Sequence, residues 1–397
     1  MATFTTRFLG CKVSFADAQA IRERLLGDGH VEVESGGEIQ VVNTCCVTHE
    51  AVSKSRQAVS RSARSARSVY VTGCASRLEG AFDATSGNVV VTGRTGDEAA
   101  AFVAGDVGAI GCVNAEHRLE RVRAFVKIQD GCSFSCAFCV IPLVRGATRS
   151  RTAGAVLSEI ERRVAQGHRE IVLTGVNLGC FRDRKAGFTL ARLVREAGSL
   201  PGVERLRLSS IEVNHVDEAL AEAVLATPTV SRHLHVPLQS GDDGVLRAMG
   251  RRYTVSQYER RLEQLGGVAV TTDVIVGFPG EDEAAFERTL ELVERLRMTK
   301  VHVFPYSPRP GTRTSAADTV PPEIKRHRSA RLRALSDELA RRRWAERIGT
   351  LDHVLLDRPG RGYADDYTPW RVPGEVGQLV TARAIGHDDE GVLAVAA

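Results

Sequence analysis

Six of the nine cysteines in this 397-residue chain fall into two groups of three. The second group is tight: Cys132, Cys136 and Cys139, within the run Gly-Cys-Ser-Phe-Ser-Cys-Ala-Phe-Cys-Val-Ile-Pro at 131–142. Structural zinc usually takes four ligands, as Cys-x2–4-Cys pairs that come twice. An ordinary four-iron cluster takes four cysteines. The nearest other cysteines, Cys112 and Cys180, are remote in sequence and read as core or loop thiols. The triplet therefore implies a cluster with three irons held by protein and a fourth open to a small molecule. Three core thiols packed as small apolar groups leave the C-x3-C-x2-C spacing unexplained, and an odd, crowded set makes a poor disulfide framework.

Residues 118–347 must position that loop, and they read as a run of β-α units. Short β-branched strands are expected near 123–129, 170–174, 205–209, 233–238, 270–276 and 301–306, separated by helical patterns such as Asp217–Ala226, Ser256–Leu265 and Glu283–Arg297. Alternation of this kind means a parallel sheet with right-handed crossovers. Six units rather than eight predict a partial (β/α)6 barrel, open on one side to a large substrate. In such folds ligands bind at the carboxyl ends of the strands. Those ends carry Cys132–Cys139, Gly175-Val-Asn177, Ser209-Ser210, Gln239-Ser240 and Gly277-Phe-Pro-Gly-Glu281. The clustering supports a site without naming its ligand.

Residues 1–112 form a second α/β pattern, a small open parallel sheet with strands near 4–9, 39–43, 69–73 and 89–92 and helices near 15–27, 49–66 and 96–103. The first cysteine group lies here. Cys11, Cys45 and Cys74 each fall within two residues of a predicted strand's carboxyl end, so three neighbouring loops can bring their thiolates to one cluster. Cys46 has an equal claim to the place of Cys45 on spacing alone. Residues 348–397 are short, mixed and glycine-rich, and predict a small β-barrel reached through the arginine-rich stretch Lys325–Arg347.

Hydrophobic content of 43% and charged content of 26% are those of a soluble globular protein. The first residues lack an apolar signal core, and no apolar run is long enough to span a membrane. A cytoplasmic protein is expected, where thiols stay reduced and can ligate iron. Net charge is only +4, which says little about nucleic acid.

The C-x3-C-x2-C loop with interleaved Phe134 and Phe138 resembles that of the radical S-adenosylmethionine (radical SAM) enzymes. With both cysteine groups in place, the whole chain resembles the methylthiotransferases of that class: an N-terminal methylthiotransferase domain, a radical SAM barrel, and a C-terminal barrel similar to the RNA-binding TRAM domain. The phrases Leu-Gly-Cys-Lys-Val, Val-Val-Asn-Thr-Cys, Lys-Ile-Gln-Asp-Gly-Cys, Leu-Thr-Gly-Val-Asn, His-Val-Pro-Leu-Gln-Ser-Gly and Asp-Val-Ile-Val-Gly-Phe-Pro-Gly-Glu are similar to the branch that acts on threonylcarbamoyladenosine in tRNA. The chain departs from that branch at Ser14, where asparagine is frequent, at Ile211-Glu-Val-Asn, and in its short C-terminal barrel.

The resemblance implies two 4Fe–4S clusters. Cys132, Cys136 and Cys139 would hold the catalytic, SAM-cleaving one; Cys11, Cys45 and Cys74 would hold an auxiliary cluster that carries sulfur. It also implies that Gly175, Asn177, Ser209, Gln239 and Gly277 contact SAM. The implied reaction uses two SAM molecules, one to methylate a sulfur and one to generate a 5′-deoxyadenosyl radical that takes hydrogen from C2 of adenosine 37. An aromatic C2–H has no useful acidity at neutral pH, so a general base cannot replace the radical. The cofactors supply the reactivity and the protein positions them. The implied partners are the tRNA anticodon loop, a low-potential electron donor such as flavodoxin or ferredoxin, and a sulfur donor.

Three basic stretches, Lys54–Arg67, Arg145–Arg151 and Lys325–Arg347, are candidates for tRNA phosphates. The middle one is favoured because it follows the cysteine loop; the other two read equally as solvated helix faces. His233, His235 and His302 read as packing or hydrogen-bonded residues rather than metal ligands. Rival readings are an enzyme of the same kind acting on isopentenyladenosine or on a ribosomal protein, a non-catalytic zinc-containing RNA-binding protein, and a two-cluster electron carrier. The zinc reading lacks a fourth ligand, and the carrier has no use for a large barrel.

Overall fold

The structure, a computed structural model, describes residues 1–83, 85–110 and 122–397. Cys112, and the expected boundary between 112 and 118, lie outside the described residues.

The N-terminal region is an open, fully parallel five-stranded sheet. Its spatial order is Val31–Glu32, Thr3–Phe8, Ile39–Thr44, Ser68–Gly73, Val89–Val91. Alternation along the strands sends Ile39, Val41 and Tyr70 to one face, against Ile21 and Leu25 of the helix Lys12–Gly27 and Val103 of the helix Gly96–Val107. Val42, Val69 and Val71 go to the other, against Ala58 and Val59 of the helix His49–Ala63. The two-residue edge strand Val31–Glu32 was missed in the sequence because so short a segment carries no periodicity.

The second region has six parallel strands in chain order. Glu170–Gly175 pairs with Arg123–Asp130 on one side and Arg205–Leu208 on the other. Isolated bridges carry the sheet from Arg205–Leu208 to His233–His235, and Ala269–Val276 and Lys300–Pro305 complete it. The ends do not pair: Arg123–Asp130 takes the antiparallel pair Arg149–Ser150, and Lys300–Pro305 is an edge. The barrel is therefore partial. Ala124, Val126, Ile128, Leu206, Leu208, Val274 and Val276 face outward into one core with the surrounding helices.

By alternation the inner face receives Arg123, Lys127, Glu170, Arg205, Arg207, His233, His235, Asp273 and His302, so the barrel interior is a charged chamber. Glu170 lies fully buried on its floor and takes Arg123 and Arg207 at 3.1 Å and Arg205 at 3.5 Å. The C-terminal region is a closed five-stranded barrel around Trp370, Val354 and Val392. Its loop at 363–367 seals the floor of the chamber. Arg205 donates to the Tyr363 and His353 carbonyls, and the Tyr367 ring lies 4.6 Å from the Arg207 guanidinium and 4.9 Å from the His233 ring. Tyr367 holds φ +67°, a left-handed conformation that costs a bulky residue energy and is stabilised here by those contacts.

One buried guanidinium joins the first two regions. Arg145, 1% exposed, donates to Asp17 on the helix Lys12–Gly27 at 2.8 Å and to Asp130 at the end of the first barrel strand at 3.0 Å. Lys127 meets the same two carboxylates at 2.5 and 3.4 Å.

Two outcomes are expected. Arg145→Met leaves Asp17 and Asp130 buried with one cation fewer, and destabilises the protein by about 3–5 kcal/mol in denaturant unfolding. Glu170→Gln, which strands three arginines, destabilises it by a similar ~3–5 kcal/mol. Burial pushes the Glu170 carboxyl upward, but Arg207, Arg123 and Arg205 outweigh burial and hold it at about 2. Its contribution is thus complete above the ordinary carboxyl range near ~4.3 and is lost as pH falls toward 2. Acid unfolding of Glu170→Gln should lack that component between about pH 4.3 and 2.

Candidate active site: two groups of thiols above a charged chamber

The loop carrying Cys132, Cys136 and Cys139 turns back sharply from the first barrel strand. Gly131 has φ +68°, and a Cβ there would lie 2.1 Å from the Ala147 carbonyl oxygen. The Cys132 amide donates to Gly146 O at 3.0 Å, and Ala137 N donates to Met249 O at 2.8 Å. Thr314 Oγ1 and the Arg313 guanidinium tie down the Ala137 and Ser135 carbonyls. Neither of those last two residues was singled out in the sequence.

The three thiols act on one another. Burial first, and then the neighbouring Cys136 and Cys132, push Cys139 up to about 12. Cys136 receives the half-buried Arg251 guanidinium at 3.4 Å; Cys132 receives the Phe134 amide at 3.4 Å and approaches Asn177 Nδ2 at 3.9 Å. Cys180 is engaged with His215 at 3.4 Å instead of completing the set. Three soft donors on one short loop are of the type that holds a shared iron centre with an open position.

The first group forms where three strands of the N-terminal sheet end. Cys45 and Cys74 follow their strands directly, and Cys11 caps the start of the helix Lys12–Gly27. Ser14 Oγ donates to Asn43 Oδ1 at 2.8 Å, binding the helix start to the neighbouring strand. Gly10 permits the approach, since a Cβ there would lie 3.1 Å from Cys45 Cβ. The charges of Cys11 and Cys74 reach Cys45, whose thiol burial raises to about 11.

Arg145 Nε donates to Cys74 Sγ at 3.0 Å. The neighbouring Cys46 thiol and then Arg145 pull Cys74 below the ordinary thiol range, against the effect of burial. Cys46 is fully buried among Val42, Ala58 and Val59 and raised by its bond to Cys74. Cys11 and Cys74 are the thiols that act on Cys45, whereas Cys74 and Cys45 are those that act on Cys46.

The other expected site residues divide. Asn177 N–H donates to Gln129 Oε1 at 2.8 Å, while its own Oδ1 is buried without a partner. The hydroxyls of Thr174, near the end of its strand, and Ser209, just past the end of the adjacent one, are buried and unpaired in the same way. Three orphaned polar atoms at the strand ends fit a polar ligand lying across them. Gly175 and Gly277 serve the backbone. A Cβ at Gly175 would lie 2.9 Å from Gln129 Oε1, and one at Gly277, where φ is +70°, would lie 2.4 Å from Lys325 Cγ. Gln239, at φ +68°, spends its main chain on bonds to Asp273 and Ile275.

The basic stretches are corrected. Arg145 is an internal keystone, and Arg151 pairs with Glu159, leaving only Arg149, half-exposed, of the favoured middle stretch. Of that segment only Arg145 is buried, where it meets Asp17 and Cys74 of the N-terminal region. In the helix Pro322–Glu346, Lys325 and Arg328 are buried against Asp318, Glu281 and Glu283, and Arg331, Arg342 and Arg343 are also paired. Lys54, Arg61, Arg64 and Arg67 stay exposed on one helix and the turn after it. The chamber histidines are packed or hydrogen-bonded, as expected. His233 is buried against Tyr367, whereas His235 bonds Asp273 at 3.2 Å and lies 5.5 Å, ring to ring, from the exposed His302.

Among the described residues no helix is long and apolar enough to cross a membrane. The Radical SAM superfamily matches residues 126–293, and a group described as uncharacterized protein family UPF0004 matches residues 3–92. The threonylcarbamoyladenosine tRNA methylthiotransferase MtaB of Thermotoga maritima is 32% identical, covering 99% of this chain and 96% of its own. The Bacillus subtilis protein of the same name is 35% identical over 86% and 82%. The tRNA-2-methylthio-N(6)-dimethylallyladenosine synthase of Solibacter usitatus is 31% identical over 91% and 87%. Among solved structures, the radical SAM methyltransferase TsrM from Kitasatospora setae aligns with a TM-score of 0.56 at 15% identity, covering 79% of this chain and 76% of that one, a likeness of fold. With that likeness running from end to end, the chain belongs to the radical SAM methylthiotransferases, enzymes that use S-adenosylmethionine and 4Fe–4S clusters.

Proposed function

We propose that this enzyme methylthiolates C2 of N6-threonylcarbamoyladenosine at position 37 of tRNA. The observation that carries the reading is the pair of three-thiol groups, one above the partial barrel and one at the edge of the N-terminal sheet, in a chain similar over nearly its full length to MtaB. Cys132, Cys136 and Cys139 would hold one 4Fe–4S cluster and Cys11, Cys45 and Cys74 the other. When bound, these groups and SAM supply the radical that an unactivated C2–H requires and the sulfur that replaces the hydrogen.

The chain's own residues position and shield. Arg251 and Asn177 direct hydrogens at Cys136 and Cys132, lowering the cost of negative charge on those sulfurs. Arg145 does the same for Cys74 while holding the helix that begins at Cys11 against the barrel. The unpaired atoms of Asn177, Thr174 and Ser209 offer hydrogen bonds along the strand ends. The open side admits a base flipped from an anticodon loop, and Lys54, Arg61, Arg64 and Arg67 offer charge to its phosphates. Work of this kind belongs in the cytoplasm, with a low-potential reductant and a sulfur donor as partners.

Mass spectrometry of tRNA nucleosides, with and without the gene, tests the substrate. Loss of 2-methylthio-N6-threonylcarbamoyladenosine with accumulation of its unthiolated precursor is expected. Loss of the dimethylallyl derivative would move the enzyme to the other tRNA branch, and unchanged tRNA would move the search to a ribosomal protein. In the purified enzyme, Cys132→Ala, Cys136→Ala or Cys139→Ala should abolish reductive SAM cleavage. Cys11→Ala, Cys45→Ala or Cys74→Ala should spare cleavage and stop methylthiolation. Sulfur transfer by these N-terminal variants would sink the auxiliary assignment.

A further inference from the structure

The charges of the chamber are matched almost to the last group. Arg123, Arg205 and Arg207 share Glu170, with Asp357 and Asp365 adding to the outer two. Lys127 is held by Asp17 and Asp130, and Asp273 lies 3.2 Å from His235 Nε2. Lys12 is the exception. It is half-buried, it follows Cys11 directly, and its ammonium has no hydrogen bond or ion pair among the described residues. Phe15, one helical turn on from Lys12, meets Phe125 of the barrel's inner face at 5.1 Å, which turns this side of the helix toward the chamber. Of the charged groups that act on the ammonium there, Arg207 and Arg123 have its own sign, and the negative ones are Glu170, already taken by three guanidiniums, and the adjoining Cys11. An ammonium withdrawn from water among like charges is stabilised by an anion and by little else.

The facing wall carries His235, Asp273 and His302, whose donor atoms lie within 4.8 Å of one another. Lys12 and Lys300 both act on His302, and His235 is committed to Asp273 and to Thr271 Oγ1 at 2.9 Å. A divalent cation would meet that positive field; an anion would be drawn by it.

We propose that Lys12 is a specificity-determining residue, whose ammonium receives the carboxylate of an N6-linked amino-acid substituent on the target adenine. This rests on the substrate reading given above. C2 and the N6-bearing carbon flank one ring nitrogen, so a base presenting C2 to the thiols extends its N6 arm into the chamber beside them. A threonylcarbamoyl arm ends in a carboxylate that Lys12 can pair with. A dimethylallyl arm is apolar and would cover the half-buried ammonium without matching its charge, so one side chain both attracts the first and rejects the second.

The test uses the reconstituted holoenzyme under anaerobic conditions with three synthetic anticodon stem-loops. One carries threonylcarbamoyladenosine, one its primary amide in place of the carboxylic acid, and one dimethylallyladenosine. The wild-type enzyme should favour acid over amide by about 10- to 100-fold in kcat/KM, carried by KM and matched by stem-loop Kd, as a charge-assisted hydrogen bond contributes. Lys12→Gln, at equal iron content, should bring that ratio near one, and Lys12→Arg should restore part of it. A wild-type enzyme indifferent to acid or amide overturns the proposal even if the variant fails to load iron, as does a Lys12→Gln enzyme that keeps the full ratio. Modification of the dimethylallyl stem-loop alone overturns the substrate reading itself, a result distinct from the other two.

Discussion

A guanidinium buried between two carboxylates and a thiol is the point on which this molecule is assembled. Arg145 touches Asp17 from the N-terminal sheet region, Asp130 at the mouth of the barrel, and Cys74 in the first thiol group. Each of those groups would be costly to bury alone, and together they neutralise and hydrogen-bond one another. The consequence is geometric. The helix that begins beside Cys11 is pinned against the first two barrel strands, and the two thiol groups sit on elements that cannot drift apart without exposing or stranding charge.

The partial barrel needs such a device because its inside is polar. Six strands do not close, so their inner faces are not packed in apolar layers as in a complete barrel. They hold arginines, histidines and acids whose charges are balanced locally. The C-terminal barrel completes the balance from below, bringing Tyr363, Tyr367 and the carbonyls around them against Arg123, Arg205 and Arg207. That domain is therefore built into the floor of the chamber as well as being a candidate RNA-binding module. An interior of this kind is suited to a polar, charged substrate portion and to chemistry that bound cofactors supply.

Much of this was legible in the sequence. Period-two strands and helical stripes gave the six β-α units and the N-terminal sheet to within a few residues, because burial on one face leaves a local record. The tight spacing of Cys132, Cys136 and Cys139 marked them as one group on one loop. Cys11, Cys45 and Cys74 could be associated only through the rule that parallel strand ends lie together. What could not be read were partnerships across long sequence separations. Nothing local marks Arg145 as a thiol's partner, Arg251 as another's, or Lys325 and Arg328 as buried residues on an arginine-rich helix. The same blindness made Arg145–Arg151 look like a phosphate-binding run, since charge in a sequence does not say where its counter-charge lies.

The central claim is that one chain carries two separate three-thiol iron sites. Iron and sulfide analysis with Mössbauer spectroscopy on the anaerobically reconstituted protein addresses it most directly. About eight irons and eight sulfides per chain, as two 4Fe–4S clusters, are expected, falling to about four of each when Cys11, Cys45 and Cys74 are replaced together. A wild-type protein that saturates at about four irons, or that retains zinc at either group, would contradict the account.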